Sequence, residues 1–375
     1  MDVPETTIKP RGKRTGKFVQ ALVSIAVVIA IFGFAFPKLA DYSQVWDEIT
    51  QMTWLELLTL ALAALWNIIT YWFVMIAALP GSNIWQSMKI NQTSTAVANT
   101  VPGGGAIGIG VTYGMYTAYG FSKSDIALSI LVSGIWNNFV KLGMPVLALA
   151  LLAIQGDAGA ASVTASLAGV GVLVAAICLF ALALKSDRIA RTIGDKLGVA
   201  VSFLRKLIRK PPVTGMGNAV ASFRHDAVDL IRARWVWLTL ACLVSHLSLY
   251  LVLLLSLRHV GVPNTDVTWT EALAAFAFVR LISALPITPG GLGVVELGLT
   301  AALISAGGDE AQVAAAVLLY RALTYLLPIP VGVFFYLKWR RGSEARRERV
   351  ARQQAESIVP EREIVTSDEP VARGR

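Results

Sequence analysis

The sequence predicts an all-α polytopic membrane protein made of two inverted repeats, each carrying a Pro/Gly-broken re-entrant helical hairpin. Three observations predict it. The chain of 375 residues is 55% hydrophobic and only 15% charged, against about 25% charged in a soluble domain, and its mean hydropathy is +0.62. Its apolar residues gather in blocks close to the roughly 20 residues that span a bilayer. Two of these blocks are interrupted at mid-length by proline and glycine in the same order, and the net charge of +9 is segregated between blocks.

Residues 1–17 carry five cations, Lys9, Arg11, Lys13, Arg14 and Lys17. The 19-residue run Phe18 to Phe36 follows. A basic start before an apolar run also describes a signal peptide, but no small-x-small cleavage site follows, so the run reads as a retained first span. Further spans are expected at 54–79, 126–153, 162–184, 235–257 and 311–337. Gly156, Asp157 and Gly159 mark the turn between the third and fourth spans. The tail has no apolar periodicity, and its end, from about Pro360, is expected to be disordered.

Residues 90–120, centred on VPGGGAIGIG, and 271–305, centred on LPITPGGLGVVE, resist assignment as single spans. Proline removes a helix donor and glycine weakens a helix through entropy. Each arm is about 10–15 residues, or roughly 15–22 Å of helix, too short for a core of about 30 Å. A re-entrant hairpin with its tip inside the protein avoids exposing non-helical backbone to lipid. At a shift of 187, Pro102 aligns with Pro289, Gly103 with Gly290, Gly104 with Gly291 and Gly120 with Gly307. Each hairpin is preceded and followed by a span, giving two repeats in the same order.

With the N-terminus inside, segments 1–17, 185–234 and 338–375 hold 5, 11 and 10 Lys/Arg. Lys89 and Lys123 add two inside, and only Lys38 and Arg258 lie outside, a bias of 28 to 2. The matched spans then run in opposite directions, the inverted arrangement of transporters with a midplane site. The organisation is a basic cytoplasmic N-terminus (1–17), a first membrane half (18–184), a basic amphipathic cytoplasmic connection (185–234), a second membrane half (235–337) and a charged cytoplasmic tail (338–375). Both termini are expected on the cytoplasmic side of a plasma membrane. The basic balance therefore records topology rather than a nucleic-acid surface, and no nucleic-acid fold accompanies it. In 187–210, Ile189, Ile193, Leu197, Val201, Leu204 and Ile208 recur at near-helical spacing among Arg188, Arg191, Lys196, Arg205 and Lys206. Such a helix suits an anionic inner leaflet; a simple topology-fixing loop is the plainer alternative.

Charges left in the membrane region are the functional candidates, because burial there is costly. They are Lys141, Arg280, Arg321 and Glu296. Arg280 lies nine residues before Pro289 and Glu296 seven after it, so these two could pair across the hairpin tip. Asn137, Asn138, Tyr320 and Tyr325 flank the charged positions. A cationic, polar cavity suits an anionic lipid headgroup; a structural salt bridge, or snorkelling in the case of Lys141, is the alternative. Half-helices that start after Gly105 and Gly291 aim free amides at an anion, unless the glycines serve close packing.

Other patterns are excluded. Gly103, Gly105 and Gly108 satisfy G-x-G-x-x-G, but without the strand and acid of a dinucleotide site. Asn91-Gln92-Thr93 is a chance sequon. Cys178 and Cys242 lie in apolar runs and read as packing residues. Asn67 and His246 read as interhelical glue, and His225 and His259 as loop residues. No metal, cofactor or catalytic constellation is expected.

With the P-x-x-PGGLG-x-x-E element of Pro286 to Glu296, the earlier PGGG segment and the spans in view, residues 18–338 resemble the transmembrane region of lysylphosphatidylglycerol synthases. That resemblance implies a membrane part that flips aminoacylated phosphatidylglycerol, and it makes Arg280, Glu296 and Arg321 the leading site residues. The soluble synthase domain has no counterpart in the short tail after Leu337, so synthase activity is not implied. Ile109 stands opposite Glu296, so the two halves do not present the same site. The expectation is a flippase-like translocase for an anionic, aminoacylated or isoprenoid-linked lipid, with substrate contacts at Arg280, Glu296, Arg321, Lys141, Asn138, Gly104, Gly291 and Tyr325. The alternatives are a membrane-embedded transferase, for which Glu271 and Glu296 are the few available acids, and an accessory subunit in lipid or cell-envelope biosynthesis. The expected partners are a phospholipid or isoprenoid-linked lipid and the anionic inner leaflet; assembly as a homo-oligomer or with a biosynthetic partner stays open.

Overall fold

Backbone groups shielded from water must pair within their own segment, and helices achieve this. The computed structural model describes residues 41–101, 103–155, 160–207, 211, 215–283 and 288–342, and no strand occurs among them. The expected span 18–36, the turn at 156–159 and the tail beyond 342 lie outside these residues. The helices are α1 (Tyr42–Thr50), α2 (Trp54–Ala78), α3 (Ile84–Thr100), α4 (Gly104–Ala118), α5 (Lys123–Gln155), α6 (Ala160–Lys185), α7 (Asp187–Leu207), α8 (Met216–His259), α9 (Trp269–Ile282), α10 (Val294–Ser305) and α11 (Glu310–Gly342). Of these, α2, α5, α8 and α11 are each long and apolar enough to cross a membrane, and α6 with α7 forms a sharply bent pair.

Local chemistry sets the helix starts. Thr53 with Glu56, Asn83 with Gln86 and Thr268 with Glu271 form capping boxes at α2, α3 and α9. Asp309 accepts hydrogen bonds from the Ala311 and Gln312 amides to open α11. Each broken segment is a pair of short helices, α3/α4 and α9/α10. The elements recur at the spacing read from the glycines. α4 and α10 end at Ala118 and Ser305, and α5 and α11 begin at Lys123 and Glu310. Gly103 and Gly290 both have positive φ (69° and 59°), as do Gly120 and Gly307 (91° and 116°). A Cβ is strained in that region, so glycine is required at the tip and at the exit of each hairpin.

Two expectations need correction. The connection 185–234 contains the expected amphipathic helix, but its second part is continuous with the span that follows. Residues 187–207 are a helix, and 216–234 are the first half of α8, so His225 is helical and His259 ends the same helix. Segment 37–53, read as an outer loop, contains α1, which buries Val45 in the main core against α11. On α7, Ala190 and Gly194 are buried, and Gly194 meets the backbone of Met216 and Gly217 on α8. Small residues at four-residue spacing permit this approach.

In α11, Pro328 and Pro330 cannot donate to the preceding turn. A π turn at Ala322–Leu326 lies just before them, closed by the Leu327 amide on the Ala322 carbonyl at 2.9 Å. Beyond the prolines, Gly332 lies flat against α3, where a Cβ would strike the Gln92 carbonyl and the Ala96 side chain. Gly332→Ala is expected to cost about 1–3 kcal/mol through overpacking, seen as a lower thermal midpoint of the purified protein. Gly114→Ala on α4 has nothing within 4 Å of the new methyl and should raise the midpoint slightly, since alanine favours a helix over glycine by about 0.5–1 kcal/mol.

Candidate functional site

Helices from both halves enclose a cavity of about 530 Å³. From the first half, α2 contributes Asn67 and Tyr71, α3 contributes Asn91, Gln92, Ser94 and Thr95, and α5 contributes Ser133, Asn137, Asn138 and Lys141. Gly105, Gly108 and Ile109 of α4 form another part of the wall. From the second half come Ser245 and His246 of α8, Arg280 of α9, and Thr324 in the π turn of α11. A wall this polar is unusual for a bundle of apolar spans, where polar side chains face one another or a water-filled space.

The electrostatics are one-sided. Lys141 and Arg280 both line the cavity, no Asp or Glu does, and neither cation forms an ion pair among the described residues. Lys141 is about 27 Å of helix from the start of α5, well away from either end, so its ammonium does not reach an aqueous surface by snorkelling along its own helix. Pro145, four residues on, withholds the amide that the Lys141 carbonyl would otherwise accept from. Arg280 sits in the last turn of α9, beside the hairpin tip. Its Nε is buried without a hydrogen-bond partner, as are His246 Nε2 and Gln92 Oε1 on the same wall. Buried polar atoms are normally satisfied, and three of the nine buried side-chain atoms without a partner among the described residues lie on this wall.

The other expected site residues form a separate, closed cluster. Glu296 is 1% exposed. Its Oε1 accepts from Arg321 Nε at 2.7 Å and its Oε2 from the Gly293 amide at 2.7 Å. Arg321 Nη2 donates to the Gly290 carbonyl at 3.2 Å, and its guanidinium lies 4.4 Å from the Tyr325 ring centre. Tyr325 Oη donates to the Asn99 carbonyl at 2.6 Å, and Asn99 Nδ2 donates back to the Tyr325 carbonyl at 3.1 Å. This chain of contacts clasps the end of α3, the second hairpin tip and the π turn of α11. The expected Arg280–Glu296 pair is therefore corrected: Glu296 pairs with Arg321, which leaves Arg280 free to face the cavity.

Thus Lys141, Asn138 and Arg280 come together on the cavity wall, whereas Glu296, Arg321, Tyr325, Gly104 and Gly291 do not line it. Gly104 is pressed on the Val97 and Ala98 carbonyls, and Gly108 on the Ser94 carbonyl, so these two glycines bring α4 against α3. Asn67 is glue: its Nδ2 donates to the Ser245 carbonyl at 3.1 Å and to Ser248 Oγ at 2.9 Å. His246 differs, with Nδ1 on the Cys242 carbonyl and Nε2 unpartnered at the cavity. Sequence reasoning missed Asn91 and Gln92. The run Asn91 to Thr95, five polar residues within an apolar segment, was the available signal. Of the two acids named for a transferase, Glu271 accepts from the Thr268 amide and hydroxyl through Oε2, and Glu296 is held by Arg321 and the Gly293 amide. Among the described residues no group of three or more His, Cys, Asp or Glu could hold a metal.

Comparison with protein families adds one decisive observation. Residues 21–332 match the family described as Lysylphosphatidylglycerol synthase TM region. The chain belongs to that family. The match takes in both halves, both hairpins and the cavity, and it places this lysylphosphatidylglycerol synthase TM region protein among membrane proteins of lipid and cell-envelope metabolism. No curated protein matches the chain.

Proposed function

We propose that this protein translocates a lipid with an anionic headgroup across the membrane. The observation that carries the proposal is the polar cavity between the two halves, with Lys141 and Arg280 on its wall and no carboxylate to neutralise them. A phosphate in that space would supply the missing counter-charge through charge-assisted hydrogen bonds, while the acyl or isoprenoid tails remain in lipid. Inverted repeats offer a route to alternating access around such a site. Supporting this, α2 and α8, the spans that precede the two hairpins, run antiparallel, since Thr59 meets His259 while Asn67 meets Ser245. The same charge pattern orders the substrates. A lysylated headgroup would bring ammonium groups beside Lys141 and Arg280, so a net-anionic lipid is favoured over an aminoacylated one. Exposed Arg188, Arg191 and Lys196, with Ile189 also exposed, support seating α7 on the anionic cytoplasmic leaflet.

Proteoliposomes carrying a fluorescent phosphatidylglycerol test this. The protein is expected to make the probe on the inner leaflet accessible to an external quencher at least tenfold faster than protein-free vesicles, and faster than a lysylated analogue. Equal rates with and without protein would overturn the proposal.

A further inference from the structure

A second depression lies on the opposite side of the α2–α8 pair. It is a groove of about 280 Å³ whose walls include Trp66, Phe73 and Ala77 of α2 and Trp237 and Ala241 of α8, with Arg234 among the lining residues. Trp66, Phe73 and Trp237 are exposed along it (49%, 47% and 65%). Because α2 and α8 are antiparallel, Arg234 lies at the Ala77 end of the groove. Arg234 forms no ion pair among the described residues. It also marks the point on α8 where the charged stretch 216–234 gives way to the apolar stretch 235–257. From Trp66 to Ala77 is eleven residues, about 16 Å of helix, which matches one leaflet of a hydrocarbon core of about 30 Å.

We infer that this groove is a phospholipid-binding site: an acyl chain lies along Trp66, Phe73 and Ala241, and the phosphodiester rests on Arg234. The groove is lined mainly by apolar side chains, and it carries a cation at one end, as an acyl chain with its phosphodiester requires. Arg234 does not belong to the cavity, so the inference holds independently of transport.

The test uses the full-length protein in detergent with added dioleoylphosphatidylglycerol or dioleoylglycerol. A photo-crosslinking amino acid is placed at Phe73, or at Phe334, another exposed aromatic that lies outside the groove. The phosphoglycerolipid is expected to label position 73 at least threefold more than position 334. Arg234→Ala should abolish that excess and Arg234→Lys should retain it, and dioleoylglycerol should show no excess. Equal labelling at the two positions would overturn the inference. So would labelling at 73 that Arg234→Ala leaves unchanged, or an equal excess with dioleoylglycerol.

Discussion

Replacing Lys141 and Arg280 together by methionine is expected to reduce translocation of an anionic lipid by at least tenfold while leaving the protein as stable as before, or more so. The two halves of that expectation share one cause. Each cation is held in the membrane region with no carboxylate opposite it, and an uncompensated charge there destabilises the fold by a few kcal/mol or more. Methionine keeps the unbranched apolar stem and removes that cost. A purely structural role predicts the opposite: losing a stabilising contact would lower the thermal midpoint and reduce transport only in proportion to unfolded protein. Measuring both quantities on the same preparation separates the readings. The single variants should each show a smaller loss, because one cation would still meet the phosphate.

The clasp at the hairpin tip should behave in the reverse way. Arg321→Ala is expected to destabilise the protein by about 3–5 kcal/mol, because it strands a buried carboxylate. Glu296, 1% exposed, would retain only the Gly293 amide. Glu296→Gln should cost less than Arg321→Ala, since the amide keeps an acceptor while leaving Arg321 without its counter-charge. Replacing both, as Glu296→Gln with Arg321→Ala, should recover part of the loss, as buried pairs exchanged for neutral groups often do. Thermal midpoints of the four proteins form a double-mutant cycle. Additive losses would show that the pair is not coupled. Transport by the correctly folded fraction of these variants should remain, since the pair does not line the cavity.

Much of this architecture was legible in the sequence because membrane constraints are coarse and strong. A run such as Trp54–Ala78 can only be a helix once lipid replaces water. Proline and glycine at the hairpin tips act through backbone geometry, and the shared positive φ of Gly103 and Gly290 reflects that common cause. The amphipathic stretch 187–207 announced itself by period. What escaped depends on contacts remote in sequence. Sequence proximity suggested Arg280 for Glu296, but the π turn in α11 brings Arg321 to it across 25 residues. The cavity wall draws its polar residues from seven helices, and no local pattern joins Asn91, Ser133 and Ser245. The short helix α1 was missed because nine residues anchored by Val45 carry too little periodicity to stand out.

The most direct measurement of the central claim is a structure of the full-length protein in nanodiscs containing phosphatidylglycerol. A phosphate is expected in the cavity, within hydrogen-bond distance of Lys141 Nζ and the Arg280 guanidinium, and absent when both residues are methionine. A cavity that stays free of headgroup density while the same preparation moves lipid, or a phosphate seated on Arg321 instead, would contradict it.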